Sequence, residues 1–181
     1  MESLKGQLLL ASPGLFDPNF RRTVVLVTEH SDEGAAGLVL NRPSEATVGE
    51  AIPDLAALAG EEAPVFVGGP VQQEAVLVLA EFDDADEAAT LVAGDVGFVP
   101  ADADFDLLNA STRRARVFAG YAGWGAGQLE SELEEDSWLV EPIDGADLFP
   151  DVGADLYAAV LRRKGGSWRV LALLPDDPRM N

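Results

Sequence analysis

Gly120-Tyr121-Ala122-Gly123-Trp124-Gly125-Ala126-Gly127-Gln128 is the stretch on which the reading of this chain turns. Before it stands Arg116-Val117-Phe118-Ala119, with the β-branched and aromatic content of a strand. After it come Leu129 and Leu133, one helical turn apart, which predict a helix over residues 127–134. Glycines between a strand and a helix can form an anion-binding turn, because helix-start amides point outward and no side chain blocks them. A dinucleotide fingerprint, however, needs Gly-x-Gly-x-x-Gly, and the spacing here is Gly-x-Gly-x-Gly with a bulky Trp124 in the turn. The competing reading is architectural: glycines let Trp124 lie flat on the backbone of a sheet that divides in two.

Working outward, Leu8–Ala11 and residues 23–28 read as strands, and residues 36–41 pair with the second across the turn Ser31-Asp32-Glu33-Gly34. Thr47-Val48-Gly49-Glu50 has capping-box form and opens a helix that Pro53 interrupts and Gly60 ends. Residues 65–67 form a strand that stops at Gly68-Gly69-Pro70, where glycine permits close backbone approach and proline fixes the exit. Residues 75–79, 96–99, 116–121 and 137–140 complete the internal strands, and residues 102–109 a short helix. Asp151 is expected to cap a last helix with Val152, Leu156 and Val160 on one stripe, and Trp168–Leu174 to form a final strand. Hairpins with inserted helices, and no repeat or long linker, describe one α+β domain over residues 1–181.

The composition narrows the function. Hydrophobic residues are 48 % of 181, enough for a core without disulfides. With 12 Lys+Arg against 32 Asp+Glu the formal charge is −20, a field that repels phosphate backbones and anionic lipid heads. The basic residues nonetheless cluster, at Arg21-Arg22, Arg113-Arg114-x-Arg116 and Arg162-Arg163-Lys164. The absence of cysteine excludes thiolate metal sites and cysteine nucleophiles, and the single histidine, His30, excludes a multi-histidine metal site. Asp102-x-Asp104-x-Asp106 imitates a calcium loop, but Leu107 and Arg113 stand where that loop needs glycine and glutamate. No apolar run reaches the ~7–15 residues of a signal peptide or the ~20 of a membrane helix, so a cytoplasmic protein is expected.

Further blocks carry a family resemblance. Gly6-Gln7-Leu8-Leu9-Leu10-Ala11-Ser12-Pro13 with Asp17 and Phe20, Thr23-Val24-Val25 with Glu29-His30, and Gly37-Leu38-Val39-Leu40-Asn41-Arg42-Pro43 stand in order. Gly68-Gly69-Pro70-Val71, then residues 120–130 with Glu132 and Trp138, follow. Together they resemble AlgH/YqgE-like proteins. The resemblance implies an α+β fold whose bifurcated, largely antiparallel sheet curls into a partial barrel with flanking helices. It also implies a bacterial protein linked by name to transcriptional regulation, with no established DNA-binding motif. The cysteine near the N-terminus of some relatives is absent, so no thiol-based role carries over.

The resulting expectation is a non-enzymatic regulatory or small-ligand-binding protein with no cofactor and no metal. Its partner is a small anionic ligand or a protein, not nucleic acid or membrane; a homodimer stays open. The candidate ligand site joins three loops: Asn41 and Arg42; Gly68 and Gly69; and Gly123, Trp124, Gly127 and Gln128. Arg42 supplies charge, although an ion pair with one of the many carboxylates competes, and Asn41 and Gln128 supply neutral hydrogen bonds. The enzyme alternative is a hydrolase or transferase using His30 with a carboxylate.

Overall fold

The structure, a computed structural model, describes residues 2–171. Its strands are β1 (Leu8–Ala11), β2 (Val24–Ser31), β3 (Gly34–Val39), β4 (Pro43–Thr47), β5 (Pro64–Val67) and β6 (Val71–Phe82). They continue with β7 (Thr90–Ala93), β8 (Val96–Phe98), β9 (Thr112–Gly125) and β10 (Trp138–Glu141). The α-helices are α1 (Val48–Ala51), α2 (Ala56–Ala59), α3 (Phe105–Asn109), α4 (Gln128–Glu134), α5 (Leu156–Lys164) and α6 (Trp168–Leu171). The main path through the sheet runs β10-β1-β2-β3-β9-β6-β8-β7 and does not close, with β4 and β5 branching from it. Every pairing is antiparallel except that of β5 with β9.

The division happens on β9. This 14-residue strand keeps β6 along one flank, from Thr112 to Tyr121. Along the other it takes β5 at Phe118–Ala119 and then β3 at Ala122–Gly125. The glycine-rich stretch is therefore largely strand, not a strand-to-helix loop: its alternating small residues continue the pleat, and only Gly127, at φ +75°, makes the turn into α4. Where β5 ends, the chain crosses β9 almost touching it. A Cβ on Gly69 (φ +156°) would stand 2.1 Å from the Tyr121 carbonyl carbon, and one on Gly68 2.3 Å from the Gly120 oxygen. That close approach is why two glycines stand there.

The strands nearest β1 are buried on both faces, and their alternation assigns side chains to two cores. Leu8, Leu10, Val24 and Leu26 meet α5 through Leu156, Tyr157, Val160 and Leu161. Leu9, Ala11, Val25 and Val27 meet Trp124, Trp138 and Leu129 on the other side. A third core places Val48, Leu55, Leu58 and Leu108 against Val65, Val78 and Val117, so α1–α3 cover the far half of the sheet.

Thr47 caps α1 as expected, its hydroxyl accepting the Glu50 amide at 3.3 Å. Two expectations at the chain end are corrected. Asp155, not Asp151, caps α5, accepting the Ala158 amide at 2.9 Å, and Val152 lies outside that helix, 61 % exposed. Trp168–Leu171 is helical, not extended: the left-handed Gly165 and Gly166 reverse the chain, and Trp168 then packs on the first core. Local i→i+3 bonds, Trp168 to Gly165 and Val170 to Ser167, satisfy the backbone there. Residues 172–174 of that expected strand lie outside the described residues.

Candidate functional site

The three loops form a row, not a cluster. Arg42 and Gly68 are neighbours, since the Val67 amide reaches the Arg42 carbonyl and the Val39 amide the Gly68 carbonyl. Gly68 and Gly69 in turn rest on Gly120 and Tyr121. Trp124 pairs with Ala35 near the start of β3, whereas Asn41 follows the end of that strand, so their backbones stand at opposite ends of it.

Each polar group of that row already has a partner. Asn41 accepts the Val24 amide at 3.0 Å and donates to the Arg22 carbonyl at 2.9 Å, fastening the start of β2. Arg42 donates to the carbonyls of Arg21 (2.6 Å) and Pro18 (3.3 Å), so it anchors the loop before β2 and, among the described residues, no carboxylate. Gln128 accepts the Gly125 amide at 3.0 Å and donates to Glu132 at 2.9 Å. Trp124, 6 % exposed, stacks with Phe20 and meets Trp138 edge-on; both indoles donate to Glu132 Oε1, at 3.3 and 3.0 Å. Beside Gly123 and Trp124 opens a shallow cleft of about 480 Å³ rimmed by Glu29 and Glu33, whose charge disfavours an anion.

His30 does find a carboxylate. Its ring, 2 % exposed, joins Glu130 from α4 through Nε2···Oε1 at 2.5 Å. Nδ1 accepts the Leu4 amide at 2.9 Å, which puts the imidazole proton on Nε2 and leaves neither nitrogen to act as a base. The hydrogen bond from His30, helped by Glu130's own amide, holds the Glu130 carboxyl below the usual range. The pair ties the N-terminal segment, β2 and α4 together.

A different group converges on the open flank of β9. Before β5 joins at Phe118, residues 112–117 have no strand partner on that side among the described residues. A cleft of about 560 Å³ occupies the gap, within the ~300–1,000 Å³ of small-molecule sites. Arg113, Arg114 and Arg116 line it, with apolar walls from Leu58, Phe66, Phe149 and Val152. Arg114 lies 4.7 Å over the Phe149 ring and Arg116 4.8 Å over Phe66. Stacking of this kind leaves the in-plane N–H groups of a guanidinium directed outward.

The three arginines are not equivalent. Arg113 is held by Asp83 at 2.8 Å, with Glu81 and Asp95 nearby, and this raises its pKa. Arg114 pairs with Glu81 at 2.9 Å. Arg116 donates to the Pro150 carbonyl and, among the described residues, has no carboxylate oxygen within 4.0 Å. Burial pushes its pKa down, as does the neighbouring Arg114, against the longer-range pull of Asp151. The basic cluster is visible in the sequence; its conjunction with Leu58, Phe66, Phe149 and Val152 is not, although Arg-x-Arg at strand spacing already puts Arg114 and Arg116 on one face.

Among the described residues no helix is long and apolar enough to cross a membrane, and no group of His, Asp and Glu could hold a metal ion. The sequence model of the AlgH-like family matches residues 8–169. A UPF0301 protein of Streptomyces coelicolor is 45 % identical over 190 residues, covering 100 % of this chain and 97 % of its own. One from Thermobifida fusca is 43 % identical, covering 99 % and 96 %. The crystal structure of protein DIP2367 from Corynebacterium diphtheriae superposes with a TM-score of 0.88 at 27 % identity, over 96 % of this chain and 94 % of that one. The solution structure of the AlgH protein from Pseudomonas aeruginosa superposes with a TM-score of 0.73 at 32 % identity, over 97 % and 98 %. By sequence along nearly its whole length and by fold, the chain belongs to the AlgH-like family.

Proposed function

We propose that this protein is a non-enzymatic regulator that binds a small anion in the cleft beside β9. The observation that carries the reading is Arg116: a half-buried cation, stacked on Phe66, with no carboxylate partner among the described residues, in a chain of 32 acidic residues. An anion there supplies the charge that the fold withholds. Arg114 and Arg116 also hold the segment after β10, through Phe149 and the Pro150 carbonyl, so a ligand that engages them acts on a surface segment. The occupied nitrogens of His30 favour this reading over hydrolysis or transfer.

An effect on transcription is then exerted through a protein partner. Two members of the basic cluster, Arg113 and Arg114, are paired with Asp83 and Glu81, which offsets their charge toward a phosphate backbone. Gel-shift titration at moderate salt is expected to give no specific DNA complex; a tight, sequence-selective one refutes this part. Thermal melts with a panel of small carboxylates and phosphates test the binding. The expected result is a rise in Tm for the wild type that Arg114→Gln/Arg116→Gln loses while still melting cooperatively. No rise with any anion, or an equal rise in the double variant, refutes the reading.

A further inference from the structure

We infer that the anion taken by the β9 cleft is a monocarboxylate with an aromatic or branched apolar body, its carboxylate on Arg116 and its body against Phe149 and Val152. This deepens the proposed function and rests on it. Counting charge around the cleft limits the ligand to one negative charge. Arg113 is offset by Asp83, and Arg114 by Glu81. Glu62 stands on the lining, and Asp151 acts on Arg116 from a distance. Of the three arginines only Arg116 has no carboxylate oxygen within 4.0 Å among the described residues, and it sits within a molecule whose net charge is −20. A second negative charge on the ligand meets that field with no further cation to receive it. A planar carboxylate, in contrast, matches the fork of a single guanidinium.

The walls ask for an apolar body. Val152 is 61 % exposed beside the partly buried Phe149 ring, and Leu58 and Phe66 form the floor. A purely polar anion such as inorganic phosphate leaves that surface wet. A phenyl or branched alkyl group covers it, and about 560 Å³ accommodates a body of that size.

Calorimetric titration of the whole chain with phenylacetate, phenylacetamide, phenyl phosphate and inorganic phosphate tests the inference. Phenylacetate is expected to bind, the neutral amide at least about tenfold more weakly, and phenyl phosphate more weakly than phenylacetate, since a charged hydrogen bond is worth about tenfold or more. Arg116→Gln is expected to weaken phenylacetate by a similar factor. Val152→Asp, at an exposed position where folding is not at stake, should do so too by placing a like charge on the wall. If phenyl phosphate or inorganic phosphate binds more tightly than phenylacetate and depends on Arg116, the monocarboxylate assignment is overturned while the anion seat stands. If phenylacetate binds the wild type and both variants equally, the seat is elsewhere and the inference fails. If no anion shows Arg116-dependent binding, both the inference and the proposed function fall.

Discussion

Removing the Glu132 carboxylate is expected to destabilise the fold chiefly by orphaning two indoles. Glu132 Oε1 accepts Trp124 Nε1 at 3.3 Å and Trp138 Nε1 at 3.0 Å, while Oε2 accepts Gln128 at 2.9 Å. The two tryptophans are only 6 % and 3 % exposed, so their N–H groups have little access to water. An unsatisfied buried donor costs about 1–3 kcal/mol, which gives a ceiling near ~6 kcal/mol for two. Glu132 itself is half-buried, so truncation admits some water, and about 2–4 kcal/mol is expected for Glu132→Ala. Trp124→Phe keeps the ring against Phe20 and Trp138 but loses the longer of the two bonds, at about 1.5–2.5 kcal/mol. In the Glu132→Ala background there is no bond left to lose, and the same substitution removes an orphaned donor. The double variant should therefore be less destabilised than the sum of the singles by about 1–2 kcal/mol. Urea unfolding followed by far-UV circular dichroism measures all four proteins without relying on the tryptophans being replaced. Additivity within about 0.5 kcal/mol would refute the shared carboxylate as the organiser of this cluster.

Other perturbations give sharper contrasts. Gly69→Ala forces a Cβ to 2.1 Å from the Tyr121 carbonyl carbon and should cost about 3 kcal/mol or more, whereas Gly127→Ala, at φ +75° with open space around it, should cost only about 1–2 kcal/mol; equal melting temperatures would contradict the close crossing. Arg163 pairs through two bonds, 2.9 and 2.8 Å, with Asp147, a carboxylate 5 % exposed, and Arg163→Ala should cost about 2–3 kcal/mol by chemical denaturation, less than a fully buried pair because the arginine is partly exposed. The Glu130 carboxyl is depressed by His30, so its contribution is present above its unfolded pKa and fades as pH falls through the folded one. The stability gap between wild type and Glu130→Gln should accordingly shrink as the pH falls through the folded-state pKa of Glu130; a gap that stays unchanged across that acid range contradicts the His30–Glu130 hydrogen bond.

Much of this molecule is legible in its sequence because the relevant physics is local. The short, unbroken apolar runs Leu8–Ala11 and Val24–Val27 predict strands, and here each face is claimed by a different core. Thr47 signals a helix start through a bond to an amide three residues on, and Gly165 a helix end through its left-handed backbone. Gly68-Gly69 after an apolar strand implies a close backbone approach whatever it approaches. What only the tertiary structure decided is which distant partner each group meets. The same glycines that suggest a loop at 120–125 lie inside β9 because β3 and β6 pair with it from either side, and pairing outweighs the weak strand propensity of glycine. Trp168 joins a helix because the core it packs on lies beside α5. The carboxylate that meets His30 is 100 residues away, Asn41 and Arg42 are consumed by nearby carbonyls and an amide, and the arginines of β9 line a cleft only where β5 stops short of them. Local periodicity encodes faces and turns. Partner choice depends on the free energy of the whole packed chain, and no window of sequence contains that quantity.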